Sequence, residues 1–133
     1  MKLMEYLMNL LAITILAILR VGQASTEIHI CEIDDPLFLG TYTATRENMD
    51  GVPIYSNAND MSIFRNKGFW YVGNLAPWPP ETHYRCVEHD DCGYNENTPP
   101  GTVSGNWKAS KKYDKGNQPV ISLTPCAGTN EEL

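Results

Sequence analysis

Turn-forming residues divide this chain so often that it has little room for long helices. Clusters of Pro, Gly, Asn and Asp separate short runs of β-branched and aromatic residues, and no useful window after the N-terminal segment shows helical periodicity. This spacing is typical of an all-β domain. We predict strands over residues 38–45, 52–56, 61–65, 69–73, 82–88, 105–109 and 119–123.

Short links fix the expected order of the first strands. Turns of three to five residues are predicted at 48–51, 57–60 and 66–68, so the first four strands should form an antiparallel meander. Asp50-Gly51 suits a tight turn that needs positive φ, and Pro53 suits an edge strand. The proline-rich segments 76–81 and 93–103 are expected to run as extended loops.

The segment IFRNKGFWYVGN, residues 63–74, predicts a β-hairpin in which Gly68 takes positive φ. Side chains alternate along a strand, so Trp70 and Val72 point one way while Phe69 and Tyr71 point the other. Both faces are apolar. The sheet should therefore be covered on both faces, as an antiparallel meander closing into a sandwich or a rolled barrel, or it leaves an aromatic strip exposed. We expect Trp70 to lie in the core.

The N-terminal segment has the layout of a secretory signal peptide. Lys2 precedes an apolar run over residues 10–19, and small residues at Gly22 and Ala24 follow it. We predict cleavage after Ala24, which makes residues 1–24 the signal peptide and 25–133 a single small β domain. The apolar run is short for an uncleaved membrane anchor.

Four cysteines fall in the mature domain and allow three disulfide connectivities. An oxidising compartment would pair them. We favour Cys31 with Cys126, which joins the two ends of the domain, and Cys86 with Cys92, which closes a short acidic loop. A domain of this length buries roughly two thirds of its unfolded surface, so disulfides would reinforce a thin core.

The mature chain is acidic. Loss of Lys2, Arg20 and Glu5 with the leader changes the net charge from −6 to −7. Such a protein should repel nucleic acid and anionic lipid surfaces. The one basic cluster, Lys108, Lys111, Lys112 and Lys115, is interpreted as a solvated hairpin tip.

The segment CVEHDDC, residues 86–92, is the strongest candidate for metal binding. Cys86, His89, Cys92 and Cys126 could supply four zinc ligands, but the spacing is not that of a standard zinc knuckle. Glu88, Asp90 and Asp91 could bind calcium, but the loop lacks the alternating ligands and central glycine of an EF-hand. We therefore expect a solvated acidic loop, and neither a metal nor another cofactor.

A series of motifs runs through most of residues 39–123. G-x-Y at 40–42, D-G-x-P-x-Y at 50–55, W-x-V at 70–72, P-P at 99–100 and G-x-W at 105–107 follow one another. This order resembles a short β module that recurs, sometimes in tandem, in secreted and multidomain proteins of single-celled eukaryotes. The resemblance implies a compact antiparallel fold and nothing catalytic.

The binding hypothesis rests on aromatic residues. Trp78 lies between prolines in the loop APWPP, where it could contact a sugar ring or a partner's side chain, or could fold back as a lid over a sheet face. Tyr71 and Tyr84 complete the candidate binding residues. The three histidines, His29, His83 and His89, stand apart and form no local catalytic motif, so no catalytic residue is assigned.

These observations predict a small secreted, disulfide-stabilised binding or interaction module for a protein or carbohydrate ligand. The alternatives are a small enzyme or enzyme inhibitor of the secretory pathway, or a structural coat or matrix component. No stable membrane anchor is expected after cleavage, and the oligomeric state stays open. The C-terminal Glu131-Glu132-Leu133 partly resembles an ER retrieval signal, which makes the ER lumen a minor alternative location.

Overall fold

The computed structural model describes residues 2–8, 27–87, 91–101, 106–112 and 118–128. Residues 2–8 are helical and exposed. Within the described ranges, no helix combines the length and apolar character needed to cross a membrane. The predicted cleavage site after Ala24 and the C-terminal Glu-Glu-Leu lie outside these ranges.

The domain is built from eight strands and one short 3-10 helix. The strands are β1 (Ile28–Glu32), β2 (Gly40–Met49), β3 (Val52–Ser56), β4 (Ser62–Asn66), β5 (Phe69–Asn74), β6 (Glu81–Cys86), β7 (Trp107–Ala109) and β8 (Val120–Ser122), and the 3-10 helix is Pro36–Phe38. They form one antiparallel sheet in the order β7-β6-β5-β4-β3-β2-β1-β8, which curls into a half-barrel. The all-β antiparallel prediction is confirmed, and the described strands roll on themselves instead of stacking as a sandwich.

The predicted meander of β2 to β5 is confirmed, and consecutive strands are antiparallel neighbours from β1 to β7. Two of its turns have two residues, each with positive φ: Asp50 (55°) and Gly51 (78°) between β2 and β3, and Lys67 (50°) and Gly68 (84°) between β4 and β5. This backbone matches the twist of the strands that such turns connect. The positive φ predicted at Gly68 is confirmed.

Two sequence-based expectations about strands are wrong. No strand is predicted from the sequence at β1, although Ile28 and Ile30 alternate there with polar residues. In the structure β1 lies between β2 and β8. Pro53 does not lie on an edge strand, because β3 pairs with β2 on one side and β4 on the other. Its missing N–H is tolerated because β3 pairs with β4 only at Tyr55 and Ser56, beyond the proline.

The concave face of the half-barrel holds the core. Cross-strand neighbours Tyr55, Ile63, Val72 and Tyr84 form one row across β3 to β6, and all are buried. Trp70, in the same face as Val72, has no exposed surface, so its predicted core position is confirmed. The other buried apolar residues of this cluster are Ile28, Ile30, Phe38, Tyr42, Val52, Met61, Cys86, Cys92, Trp107 and Ile121.

Both favoured disulfides are confirmed: Cys31–Cys126 and Cys86–Cys92, each with a Cα–Cα distance of 5.6 Å. Gly101 lies between β7 and β8, which are the two edge strands of the sheet. Trp107 Nε1 in β7 donates to the Gly101 carbonyl over 3.3 Å, and an added Cβ at Gly101 would lie 3.5 Å from the Ile121 carbonyl oxygen in β8. Gly101 therefore lies close to both strands.

Candidate functional site

Trp78 lies on the loop between β5 and β6, and its side chain is 92% exposed. Asn74 Oδ1 accepts a hydrogen bond from the Ala76 N–H over 3.0 Å at the start of this loop. Pro77, Pro79 and Pro80 restrict the backbone that follows. Trp78 covers no face of the sheet, so the lid interpretation is wrong and the solvent-facing position is confirmed.

Two leucines are exposed at the same end of the sheet. The 3-10 helix begins at a cap in which Asp35 Oδ1 accepts from the Leu37 N–H over 3.0 Å. Asn57, in the β3–β4 turn, donates through Nδ2 to the carbonyls of Leu37 (2.8 Å) and Leu39 (3.2 Å). The backbone is therefore fixed, while the side chains of Leu37 and Leu39 remain 52% and 40% exposed.

The 3-10 helix and the β5–β6 loop are joined through His83. A bulge in β6 places this buried histidine with its ring centroid 4.5 Å from that of Phe38. Burial lowers the pKa of His83, although the Glu81 and Asp35 carboxylates act in the opposite direction. Leu37 and Leu39 flank Phe38 at the end of the sheet from which the Trp78 loop projects, and we call Leu37, Leu39 and Trp78 the apolar rim.

The convex face of the sheet carries a groove of about 440 Å³ across β5, β6 and β7. Its polar and aromatic lining consists of Tyr71, Thr82, Arg85, Lys108, Ser110 and Lys111, and we call it the basic groove. Tyr84 also borders it, although that side chain is buried. The structure thus brings two of the predicted binding residues, Tyr71 and Tyr84, to one groove that Trp78 does not line.

Aromatic contacts hold the convex face in place beside the groove. The rings of Tyr71 and Phe64 stack with centroids 5.5 Å apart and an interplanar angle of 10°. Arg85 Cζ lies 5.0 Å from the centroid of Phe69, whose ring also contacts Tyr94 edge-on. The convex face of the sheet is therefore only partly covered, because Phe69 and Tyr71 are both half-buried.

The basic cluster is arranged differently from the predicted hairpin tip. Lys108 lies in β7, directly opposite Arg85 in β6, and Lys112 pairs with Glu81 over 3.5 Å. Lys115 lies outside the described residues. Sequence reasoning missed Arg85 as a member of this cluster. Because 22 residues lie between Arg85 and Lys108 in the chain, only strand pairing brings the two side chains together.

At the opposite end of the sheet, Arg65 organises a polar network that sequence reasoning also missed. Its Nε donates to Asp50 Oδ2 over 2.9 Å, Nη2 donates to the Asp50 carbonyl over 2.6 Å, and Nη1 donates to the Glu96 carbonyl over 2.8 Å. The Gly68 N–H donates to Asp50 Oδ2 over 2.8 Å. This backbone hydrogen bond and the Arg65 guanidinium lower the pKa of Asp50, against an opposing effect of burial.

The histidines do not assemble a catalytic group within the described part of the chain. His29 Nδ1 lies 3.0 Å from Thr41 Oγ1, but the two are cross-strand neighbours in β1 and β2. Glu27 Oε2 lies 4.0 Å from His29 Nε2, and the Glu27 side chain is 51% exposed. This arrangement stabilises strand pairing and provides no recognisable nucleophile activation.

The proposed zinc set is not available, because Cys86, Cys92 and Cys126 are all in disulfides. His89, Glu88 and Asp90 lie outside the described residues. Asp91, which is described, accepts from Asn106 Nδ2 over 3.0 Å. Among the residues that the structure describes, no group of three or more His, Cys, Asp or Glu side chains is arranged to hold a metal ion.

Comparison with models of protein families, with curated proteins and with solved structures finds no match to this chain. The resemblance to a recurrent β module therefore stays a prediction. The arguments that follow rest on the geometry of the apolar rim and of the basic groove.

Proposed function

We propose that this chain is a small secreted binding module that contacts a protein or carbohydrate ligand through Trp78. The observation that carries the proposal is the 92% exposure of this tryptophan on a proline-flanked loop. A tryptophan in water gains a large apolar contact area when a ligand covers it, and such residues often dominate binding energies.

The surroundings of Trp78 support this role. Association is weakened by the entropy lost when loops and side chains become ordered. Here the hydrogen bond from Ala76 to Asn74 and three prolines limit the freedom of the loop before any ligand arrives. Leu37 and Leu39 extend the apolar surface at the same end of the sheet, on a segment that Asn57 holds in place.

The proposed location is supported by the cysteines and by the N-terminal sequence. Two disulfides are typical of proteins that fold in an oxidising compartment. The sequence pattern of residues 1–24 is that of a secretory signal. Together they support a secreted module whose rim is available to extracellular ligands.

The test is a glycan array and an extracellular-protein array, probed with mature wild-type protein and with the Trp78→Ala variant. The matched control is Leu123→Ala, which truncates a 48% exposed apolar side chain next to β8. We expect a wild-type ligand whose affinity falls about tenfold or more in Trp78→Ala and stays within about twofold in Leu123→Ala. Arrays without any ligand, or a ligand that binds both variants equally, would contradict the proposal.

A further inference from the structure

We propose that the basic groove is a second binding site, separate from Trp78, for an oligosaccharide that carries carboxylate or sulfate groups. Three cationic side chains, Arg85, Lys108 and Lys111, line this one groove in a chain whose overall charge is −6. A local positive site in an acidic protein selects an anionic ligand through short-range contacts, because the field of distant charges is screened beyond about 8–10 Å at physiological salt.

The cations of the groove are available for a ligand. Within the described part of the chain, the salt bridges of basic side chains join Arg65 to Asp50 and Lys112 to Glu81, and none involves Lys108 or Lys111. Arg85 lies over the Phe69 ring, a contact that orients its guanidinium without neutralising the charge. Lys108 and Lys111 are both exposed.

The spacing of the cations suits repeated anions. Arg85 and Lys108 are direct cross-strand partners, so their backbones are one strand spacing, about 5 Å, apart. Lys111 follows β7 by two residues at the same groove. Guanidinium and ammonium groups form charge-assisted hydrogen bonds with carboxylate or sulfate oxygens, and several such contacts along one groove favour a chain with regularly placed charges.

The remaining lining suits a sugar more than a simple anion. Tyr71 is held by stacking on Phe64 and presents a partly exposed ring to the groove. Thr82 supplies a hydroxyl group. Ser110 also lines the groove, and its Oγ is buried without a hydrogen-bond partner among the described residues. A buried hydroxyl that lacks a partner is unfavourable until another polar group reaches it. An aromatic surface, hydroxyl groups and cations together match the ring, the hydroxyls and the acidic substituents of an acidic sugar.

Titration calorimetry on the mature protein tests the site with four probes: a sulfated oligosaccharide, an oligouronate, a neutral oligosaccharide of the same length and inorganic sulfate. The test variant is Lys108→Gln/Lys111→Gln. The control is Arg46→Gln/Lys67→Gln, which also removes two exposed positive charges but away from the groove. Melting temperature is measured on each variant, so that a folding defect is recognised.

We expect the wild-type protein to bind the sulfated oligosaccharide or the oligouronate, with affinity that falls as salt rises, and to ignore the neutral sugar. The groove variant should lose about tenfold or more in affinity, and the control variant less than about twofold. Trp78→Ala should bind the acidic sugar as the wild type does, which separates this site from the proposed function at the apolar rim. The proposal is overturned if neither acidic sugar binds, if both double variants lose affinity equally, or if inorganic sulfate binds as tightly as the acidic sugars.

Discussion

The two ends of the half-barrel use their polar groups for different purposes. At the Arg65 end, the guanidinium of Arg65, which is 8% exposed, donates to Asp50 and to the Glu96 carbonyl. Because Asp50 also accepts from the Gly68 N–H, this network joins the β2–β3 turn, the β4–β5 turn and the loop that contains Glu96. At the rim end, Asp35 accepts from the Leu37 N–H and Asn57 donates to the Leu37 and Leu39 carbonyls, while the side chains of both leucines stay exposed. Both ends have a fixed backbone, but the rim exposes Trp78 at 92% and Leu37 at 52%, whereas Tyr94 beside the Arg65 end is 37% exposed and packs edge-on against Phe69.

Under the proposed function, this difference separates the residues that bind a ligand from those that stabilise the fold. Fixed loops that expose apolar side chains are suited to recognition, because a partner gains contact area without ordering the loop. A buried, fully paired arginine is suited to holding turns, because loss of either partner leaves a charge without compensation. Substitutions at the Arg65 end and in the core should therefore lower stability, and substitutions at the rim should change binding with little effect on the fold.

The largest effect is expected in the core between the two ends. Trp70→Ala should lower the free energy of unfolding by about 3–5 kcal/mol, because it leaves a cavity beside Tyr55 and Val72. Chemical denaturation monitored by circular dichroism measures this loss. Trp70→Phe is the informative control, since it keeps the ring but removes Nε1, which is buried without a hydrogen-bond partner among the described residues. A Trp70→Ala loss below about 1 kcal/mol would contradict the core assignment.

A second comparison uses two glycines with the same kind of turn. Gly51→Ala meets nothing within 4 Å and is disfavoured only by its φ of 78°, so about 1–2 kcal/mol should be lost. Gly68→Ala has a φ of 84° and would also place a methyl group against the Tyr94 ring and 2.7 Å from Asn95 Oδ1. Its loss should exceed that of Gly51→Ala by about 1–3 kcal/mol. Equal midpoints of denaturant unfolding would show that the loop at residues 91–96 does not pack on this turn.

The Arg65 end should also respond to pH. The pKa of Asp50 is lowered in the folded protein, so its carboxylate contributes stability that is fully present above the unfolded pKa of about 3.9 and is lost as pH falls through the folded value. Asp50→Asn should therefore melt at a lower temperature than the wild type at pH 7. The difference should shrink below about pH 4, as the wild-type carboxyl becomes protonated.

Melting curves of wild type and Asp50→Asn between pH 2 and 7 measure this effect. Asp60→Asn in the β3–β4 turn is the matched control, because Asp60 also has positive φ (60°) but takes part in none of the salt bridges among the described residues. A wild-type advantage over Asp50→Asn that is constant across this range would show that the carboxylate charge does not stabilise the turn.

The smallest effect is expected at the rim. Trp78→Ala should change the free energy of unfolding by less than about 0.5 kcal/mol, because the side chain is 92% exposed. Variants that keep a single tryptophan should show strong iodide quenching at Trp78 and weak quenching at Trp70. If Trp78 is as protected as Trp70 in the free protein, the rim is covered in solution and the comparison between the two ends fails.

Local sequence determined a large part of this architecture. Asp50-Gly51 and Lys67-Gly68 specify their turns because positive φ is a property of a few neighbouring residues. The alternation in β5 separated Trp70 from Tyr71 correctly, and the cysteine positions favoured the pairing that is observed. The turns and the alternation depend on residues that are close in sequence. The disulfides depend on cysteine chemistry, and four cysteines allow few pairings.

Contacts between distant segments were decided only by the tertiary structure. β1 obtains its place from β2 and from β8, about ninety residues away, and Pro53 is accepted inside the sheet because β4 pairs only with the far half of β3. The burial of Arg65 also depends on Asp50 and on the Glu96 carbonyl, which come from other segments of the chain to accept its hydrogen bonds. The basic groove likewise exists only because strand register places Arg85 opposite Lys108. The sequence contains all of these strands and charged side chains, but strand register and sheet curvature determine which of them come into contact. Register and curvature depend on the packing of the whole core, and local sequence therefore does not determine them.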